Sequence, residues 1–227
     1  MHKITHYLVL ALLAGQMSAC QTTGTDAPET SAAQNKAQRI DAAIEKTAIR
    51  ASKNGSVSAN LLAVEKKYKR NASDPDAALA YAQSLRQANH LNRADIVLEP
   101  FTRDDTVYAG VNTEMSMIKL AMGDYDMAEK FAKDAILQDA ADYEAYQNLG
   151  ISLDAKEMHP EAERAFRKGL EHWQGDPTTI MNNLALNLAT QGFIDEAVEV
   201  LERAKALSPN RIELERNLRI IRTLNER

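Results

Sequence analysis

The side chains able to do chemistry are few and far apart. One thiol, Cys20, ends the apolar stretch LVLALLAGQMSAC. A single cysteine excludes an internal disulfide framework and a cysteine-based zinc site. The five histidines are His2, His6, His90, His159 and His172; the first two fall in the N-terminal apolar leader, and the other three have no metal-ligand spacing. The last three stand alone at turns or near helix ends, where a histidine is a surface residue. Paired carboxylates can share acid and base roles. Here Asp104-Asp105 and Asp124/Asp126 read as solvated or helix-start charges instead. There is no glycine-rich phosphate loop, no H-E-x-x-H and no G-x-S-x-G. The expectation is a protein that is not an enzyme and that carries no cofactor and no metal.

Composition narrows the class. Hydrophobic residues make up 44% of the 227, charged residues 26%, and the formal net charge is −5. Nucleic acid is not an expected partner, because phosphate binding needs a basic face. Six prolines, nine glycines and 5% aromatics disfavour an all-β domain. Ala, Leu, Glu, Lys, Arg and Gln are frequent, and all are strong helix formers.

The N-terminus has the layout of a secretory signal: Lys3, an apolar run from Tyr7 to Gly15, then small Ser18-Ala19 before the cysteine. The run is too short to span a bilayer, which takes about 20 residues. A small-residue site ending on cysteine resembles the lipobox of bacterial lipoproteins. Met17 stands where leucine is usual, and Gln16 is a polar intruder. The resemblance implies cleavage before Cys20, acylation of its thiol and new amino group, and hence attachment to a membrane. Several acyl chains hold stably where one does not, at about 0.8 kcal/mol per buried CH₂. The alternative is an ordinary signal cut near Ala19, leaving a free thiol. Gln21 is not the aspartate that resembles an inner-membrane retention signal, so an outer-membrane lipoprotein facing the periplasm is expected.

Residues 20–37 are polar, rich in Thr, Ser, Ala and Gln, with no apolar face, and read as a flexible tether. Residues 38–74 turn helical. Ile40, Ala43, Ile44 and Ala48 share one face, Asn54-Gly55 breaks it, and Ser58 caps a helix bearing Leu61, Leu62, Val64 and Tyr68.

From residue 75 the chain repeats itself. Tyr81, Ala82, Leu85, Ala94, Leu98 and Phe101 set a pattern that returns as Gly123, Ala128, Ala132 and Ala135. It returns again as Tyr146, Leu149, Gly150, Leu153, Ala162, Phe166 and Gly169, then as Leu184, Ala185, Leu188, Ala197, Leu201, Ala204 and Pro209. The pattern resembles the tetratricopeptide repeat, a helix-turn-helix unit of about 34 residues. Four units start at 75, 109, 143 and 178 and fill 75–210; the extra residue of the longer step falls in HWQGDP. The expected fold is all-α, a right-handed superhelix (α-solenoid), with a capping helix over 211–227. Residues 59–74 resemble the second helix of an incomplete repeat. Small residues mark helix crossings. Ser116 takes the small site of the second unit, and Lys119 replaces a large apolar residue. Gly123 and Gly192 sit in the turns, where Asn89 and Glu157 replace glycine. Trp173 is expected to pack at a repeat junction.

Such an array has a concave face lined by the first helix of each unit. By the family pattern its exposed positions are Leu79, Gln83 and Arg86; Thr113, Met117 and Leu120; Gln147, Ile151 and Asp154; Asn182, Leu186 and Thr190. That lining is neutral and partly apolar, with Arg86 its one cation, and lacks the lysines of repeats that clamp carboxylates. A helix or an extended segment with an apolar face would fit it.

Residues 60–220 are similar to TadD-like lipoproteins of the tight-adherence (Flp) pilus assembly system. The similarity is carried by DPDAALAYAQSLRQANHLNRADIVLEPF, GDYDMAEKFAKDAILQDA and YQNLGISLDAKEMHPEAERAFRKGL. It implies a protein partner, a secretin or another pilus component, and a role in assembling or placing that machine. Two alternatives share the plan of lipobox, tether and array. One is a type IVa pilus pilotin; the other is an envelope adaptor recruiting peptidoglycan enzymes, as NlpI-like lipoproteins do. Oligomeric state is left open.

Overall fold

The computed structural model describes residues 59–102, 108 and 110–225. The signal, Cys20, the tether, the segment up to 58 and Asp104-Asp105 lie outside them. Among the described residues there are ten α-helices and no strand. Helix α1 covers 59–70. Then come α2 (Pro75–Gln87), α3 (Leu91–Leu98) with a 3₁₀ turn at Glu99–Thr102, α4 (Val111–Met122) and α5 (Tyr125–Gln138). They are followed by α6 (Tyr143–Ala155), α7 (His159–His172), α8 (Thr178–Thr190), α9 (Ile194–Leu207) and α10 (Ile212–Asn225). The fold is an α-solenoid of helix pairs: α2/α3, α4/α5, α6/α7 and α8/α9, closed by α10.

Three helices start where the sequence supplies a side-chain cap. Asp74, Asp124 and Asp142 accept hydrogen bonds from the first free backbone amides of α2, α5 and α6. Pro75 opens α2, where its missing N–H is not needed. Three of the four pairs begin on the expected residue. The second begins at Val111 rather than Ala109, because Gly110 takes a left-handed conformation (φ 79°) that holds the helix back.

Inside each pair the turn needs one left-handed residue. Gly123 and Gly192 supply it at φ 78° and 88°. Asn89 and Glu157 adopt φ 62° at the same place in the other two units. The repeat geometry is kept there against side-chain preference.

The marked small residues are crossings. Ala82, Ala94, Ala128, Ala162, Ala185 and Ala197 are fully buried. A Cβ on Gly150 would lie 2.4 Å from the Phe166 ring. Ser116 is buried and donates to the carbonyl of Ala128 (3.0 Å), so the substitution at that crossing is satisfied rather than tolerated. Lys119 does not leave a gap: its ammonium reaches Asp95 of α3 at 2.8 Å.

The larger apolar side chains gather in two clusters. Leu61, Val64 and Tyr68 of α1 join Tyr81, Leu85, Leu98, Met115 and Ile118 in the first. Leu62 points to solvent instead, since α1 offers only one face to α2. Phe166, Ile180, Leu184, Leu188 and Leu201 form the second with Leu214, Leu218 and Ile221 of the capping helix. Trp173 packs at the edge of the second cluster, its ring 4.5 Å from that of Tyr143. No helix among the described residues is long and apolar enough to cross a membrane.

Candidate partner-binding groove

The first helices define an inner face. Helix α2 packs on α4, α4 on α6, α6 on α8 and α8 on α10, while comparable packing does not link α3, α5, α7 and α9 to one another. Helices that still touch across a repeat lie on the inside of a curve. The concave surface is therefore built from α2, α4, α6 and α8, and α10 extends it.

Most of the expected lining is open on this face. Gln83, Leu186 and Thr190 are exposed; Leu79, Arg86, Met117, Leu120, Gln147, Ile151, Asp154 and Asn182 are half-buried. Thr113 departs from the expectation. It is 5% exposed, and its hydroxyl donates to Asp142, the cap of the next first helix. At the fourth unit the equivalent of Arg86, Leu120 and Asp154 is Ala189, half-buried beside Thr190.

One row is apolar along most of its length. Met117, Ile151 and Leu186 occupy the same place in successive units, and Ile220 continues it on α10. Leu186 is 39% exposed and Ile220 52%. Ile220 and its neighbour Arg216 were not among the expected residues. One further 34-residue step of the register, from 178 to 212, would have found both.

Charge corrects the reading more than burial does. Arg86 is not a free cation: its guanidinium grips Glu114 with two bonds of 2.6 and 3.0 Å. Glu114 is only 3% exposed. Its burial pushes the carboxyl above its ordinary range, against the lowering by Arg86. Nearby, Gln83, Thr113, Glu114, Met117, Asp142 and Glu144 surround a pocket of about 90 Å³. The Glu144 side chain is open to solvent, yet partial desolvation against the pocket wall raises its carboxyl, and the charges of Asp142 and Glu114 add to this against the lowering by Arg86. This end of the groove is therefore acidic, not neutral. The lone carboxylate among the expected residues, Asp154, is engaged: His159 Nδ1 lies 2.8 Å away and Asn187 donates at 2.7 Å. Asn182 accepts from Asn217 of α10 at 2.8 Å.

Two buried polar atoms, Gln147 Oε1 and Trp173 Nε1, have no hydrogen-bond partner among the described residues. The tryptophan borders a second cleft of about 650 Å³ across α7, α8 and α9, with Leu170, Met181, Leu184, Val200 and Leu207. No group of three or more His, Cys, Asp or Glu among the described residues is placed to hold a metal ion.

Comparison with known proteins fits this architecture. Residues 178–208 match the family profile described as Tetratricopeptide repeat. The fold is that of tetratricopeptide-repeat proteins. The chain is similar to a solved thermophilic repeat protein of Thermus thermophilus, with 19% identity, 76% of this chain and 94% of that one covered, and a TM-score of 0.65. It is similar to MamA (41-end) of Desulfovibrio magneticus RS-1 at 17% identity, 74% and 94% coverage and a TM-score of 0.57. It is also similar to YrrB, described as a repeat protein with an unusual peptide-binding site, at 17% identity, 73% and 84% coverage and a TM-score of 0.55. At such identities the likeness is one of fold. No curated protein matches the sequence.

Proposed function

We propose that this chain is an envelope scaffold, anchored to the outer membrane through Cys20, whose concave groove holds a segment of a protein partner. The observation that carries the reading is the open row Met117, Ile151, Leu186 and Ile220 on the inner face of the array. An apolar row on a concave helical surface matches an amphipathic helix, or an extended segment with alternate side chains inward. The half-buried amides of Gln147 and Asn182 flank it. YrrB, of the same fold, is described by its peptide-binding site.

The finer reading places the scaffold in assembly of a tight-adherence (Flp) pilus, with the secretin as partner. Its support is the order of lipobox, tether and array, together with the resemblance of residues 60–220 to TadD-like lipoproteins. In this reading Cys20 fixes the domain at the membrane where the secretin assembles, the tether gives it reach, and no side chain acts as a catalyst.

The test uses the full chain in cells that carry the pilus genes. Secretin co-purifies with the parent, and recovery falls with Ile151→Glu, which puts a charge in the apolar row. Cys20→Ser moves the protein out of the outer-membrane fraction. Unchanged secretin recovery with Ile151→Glu contradicts the groove, and unchanged fractionation of Cys20→Ser contradicts the anchor. Co-purified cell-wall enzymes in place of secretin would favour the adaptor reading.

A further inference from the structure

We propose that the groove selects a basic–apolar segment: a partner arginine or lysine enters the pocket between α4 and α6, and the apolar side chains next to it lie along the row that begins at Met117. The inference rests on the groove reading above and adds to it the chemistry of the occupant.

The pocket is small, about 90 Å³, and it is the place where the apolar row meets charge, because Met117 belongs to both. Three carboxylates and one guanidinium stand there: Glu114, Asp142, Glu144 and Arg86. Their sum is two negative charges. Two of the carboxylates are engaged within the protein. Glu114 is gripped by Arg86, and Asp142 accepts from the Thr113 hydroxyl and from the amide of Ala145 (2.9 Å). Glu144 is exposed and accepts no hydrogen bond among the described residues. An incoming cation would therefore meet one unengaged carboxylate in front of two engaged ones. It would also relieve the mutual repulsion of Glu144, Asp142 and Glu114. An acidic segment would face the same three groups and be excluded. Gln83, exposed at the rim, can accept a further N–H from a guanidinium.

The experiment is selection of random twelve-residue peptides displayed on phage against the full chain, purified in detergent. It is repeated on Glu144→Gln and on Ile151→Glu. Glu144 is open to solvent and makes no ion pair among the described residues, so its variant should melt no lower than the parent, which is checked first. The expected result is enrichment of peptides with Arg or Lys within about four residues of Leu, Ile, Phe or Met. Their affinity should fall roughly three- to tenfold with Glu144→Gln and be lost with Ile151→Glu. The Glu144 dependence should shrink as salt is raised. Peptides that depend on Ile151 but show no preference for a cation, or prefer carboxylates, overturn this inference and leave the groove standing. Absence of any Ile151-dependent peptide overturns both.

Discussion

At Gly150 the α6 backbone lies against Phe166, which is itself buried and has nowhere to swing. Gly150→Ala should destabilise the chain by about 1–3 kcal/mol, read as a lowered melting temperature. An unchanged melting temperature would mean that the crossing is looser than described. Ala162→Leu, at a fully buried crossing, should fall in the same range. A second residue-scale effect is electrostatic. The Glu114 and Glu144 carboxyls are raised above their ordinary values near 4.5, so over that raised window the folded chain binds more protons than the unfolded one. Stability from this pair therefore increases as pH falls through the window and is lost as pH rises. Glu144→Gln should flatten the melting-temperature profile above about pH 4.5, where the parent loses stability as pH rises. A slope equal to the parent's would show that desolvation and the neighbouring carboxylates do not raise the Glu144 carboxyl in the folded chain. The small crossing residues were legible in the sequence because sterics at a helix crossing depend on residue type and spacing alone. The pairs Arg86–Glu114 and Lys119–Asp95 were not, because they join different helices and depend on side-chain direction.

The elements were legible from their punctuation. The repeat register and the turn glycines bound the helices close to their observed ends, while the caps Asp74 and Asp142 were not singled out. The late start of α4 was hidden, since no residue-type signal distinguishes a left-handed Gly110 from an ordinary loop glycine. The turns carry a prediction of their own. Glu157 holds φ 62° in a place that suits glycine. Glu157→Gly should stabilise the α6/α7 turn by about 1 kcal/mol, and Asn89→Gly by less, because asparagine tolerates this region better. Chemical denaturation of each variant against the parent checks this. A loss of stability with Glu157→Gly would mean that unfolded-state entropy outweighs the relief of strain.

At the scale of the array, the two clusters are joined at α5/α6 by small residues: Ala132, Ala135 and Ala145 are buried there and belong to neither. A repeat array is held by neighbour contacts, so the part with its own core and cap should stand alone. Residues 143–227 should give a helical circular-dichroism spectrum and a cooperative melt; a coil spectrum would show that the second cluster needs the first. The periodic backbone pattern made the solenoid readable. The acidic pocket escaped because its carboxylates come from two helices whose apposition only the folded array creates. The central claim is that the inner face holds a partner, and in-cell photocrosslinking tests it most directly. A photoreactive residue is placed in turn at Met117, at Ile151 and at the exposed Leu137 on α5, a second helix. The account predicts the same adduct from Met117 and Ile151 and none from Leu137. An adduct from Leu137 with none from either groove position would contradict it.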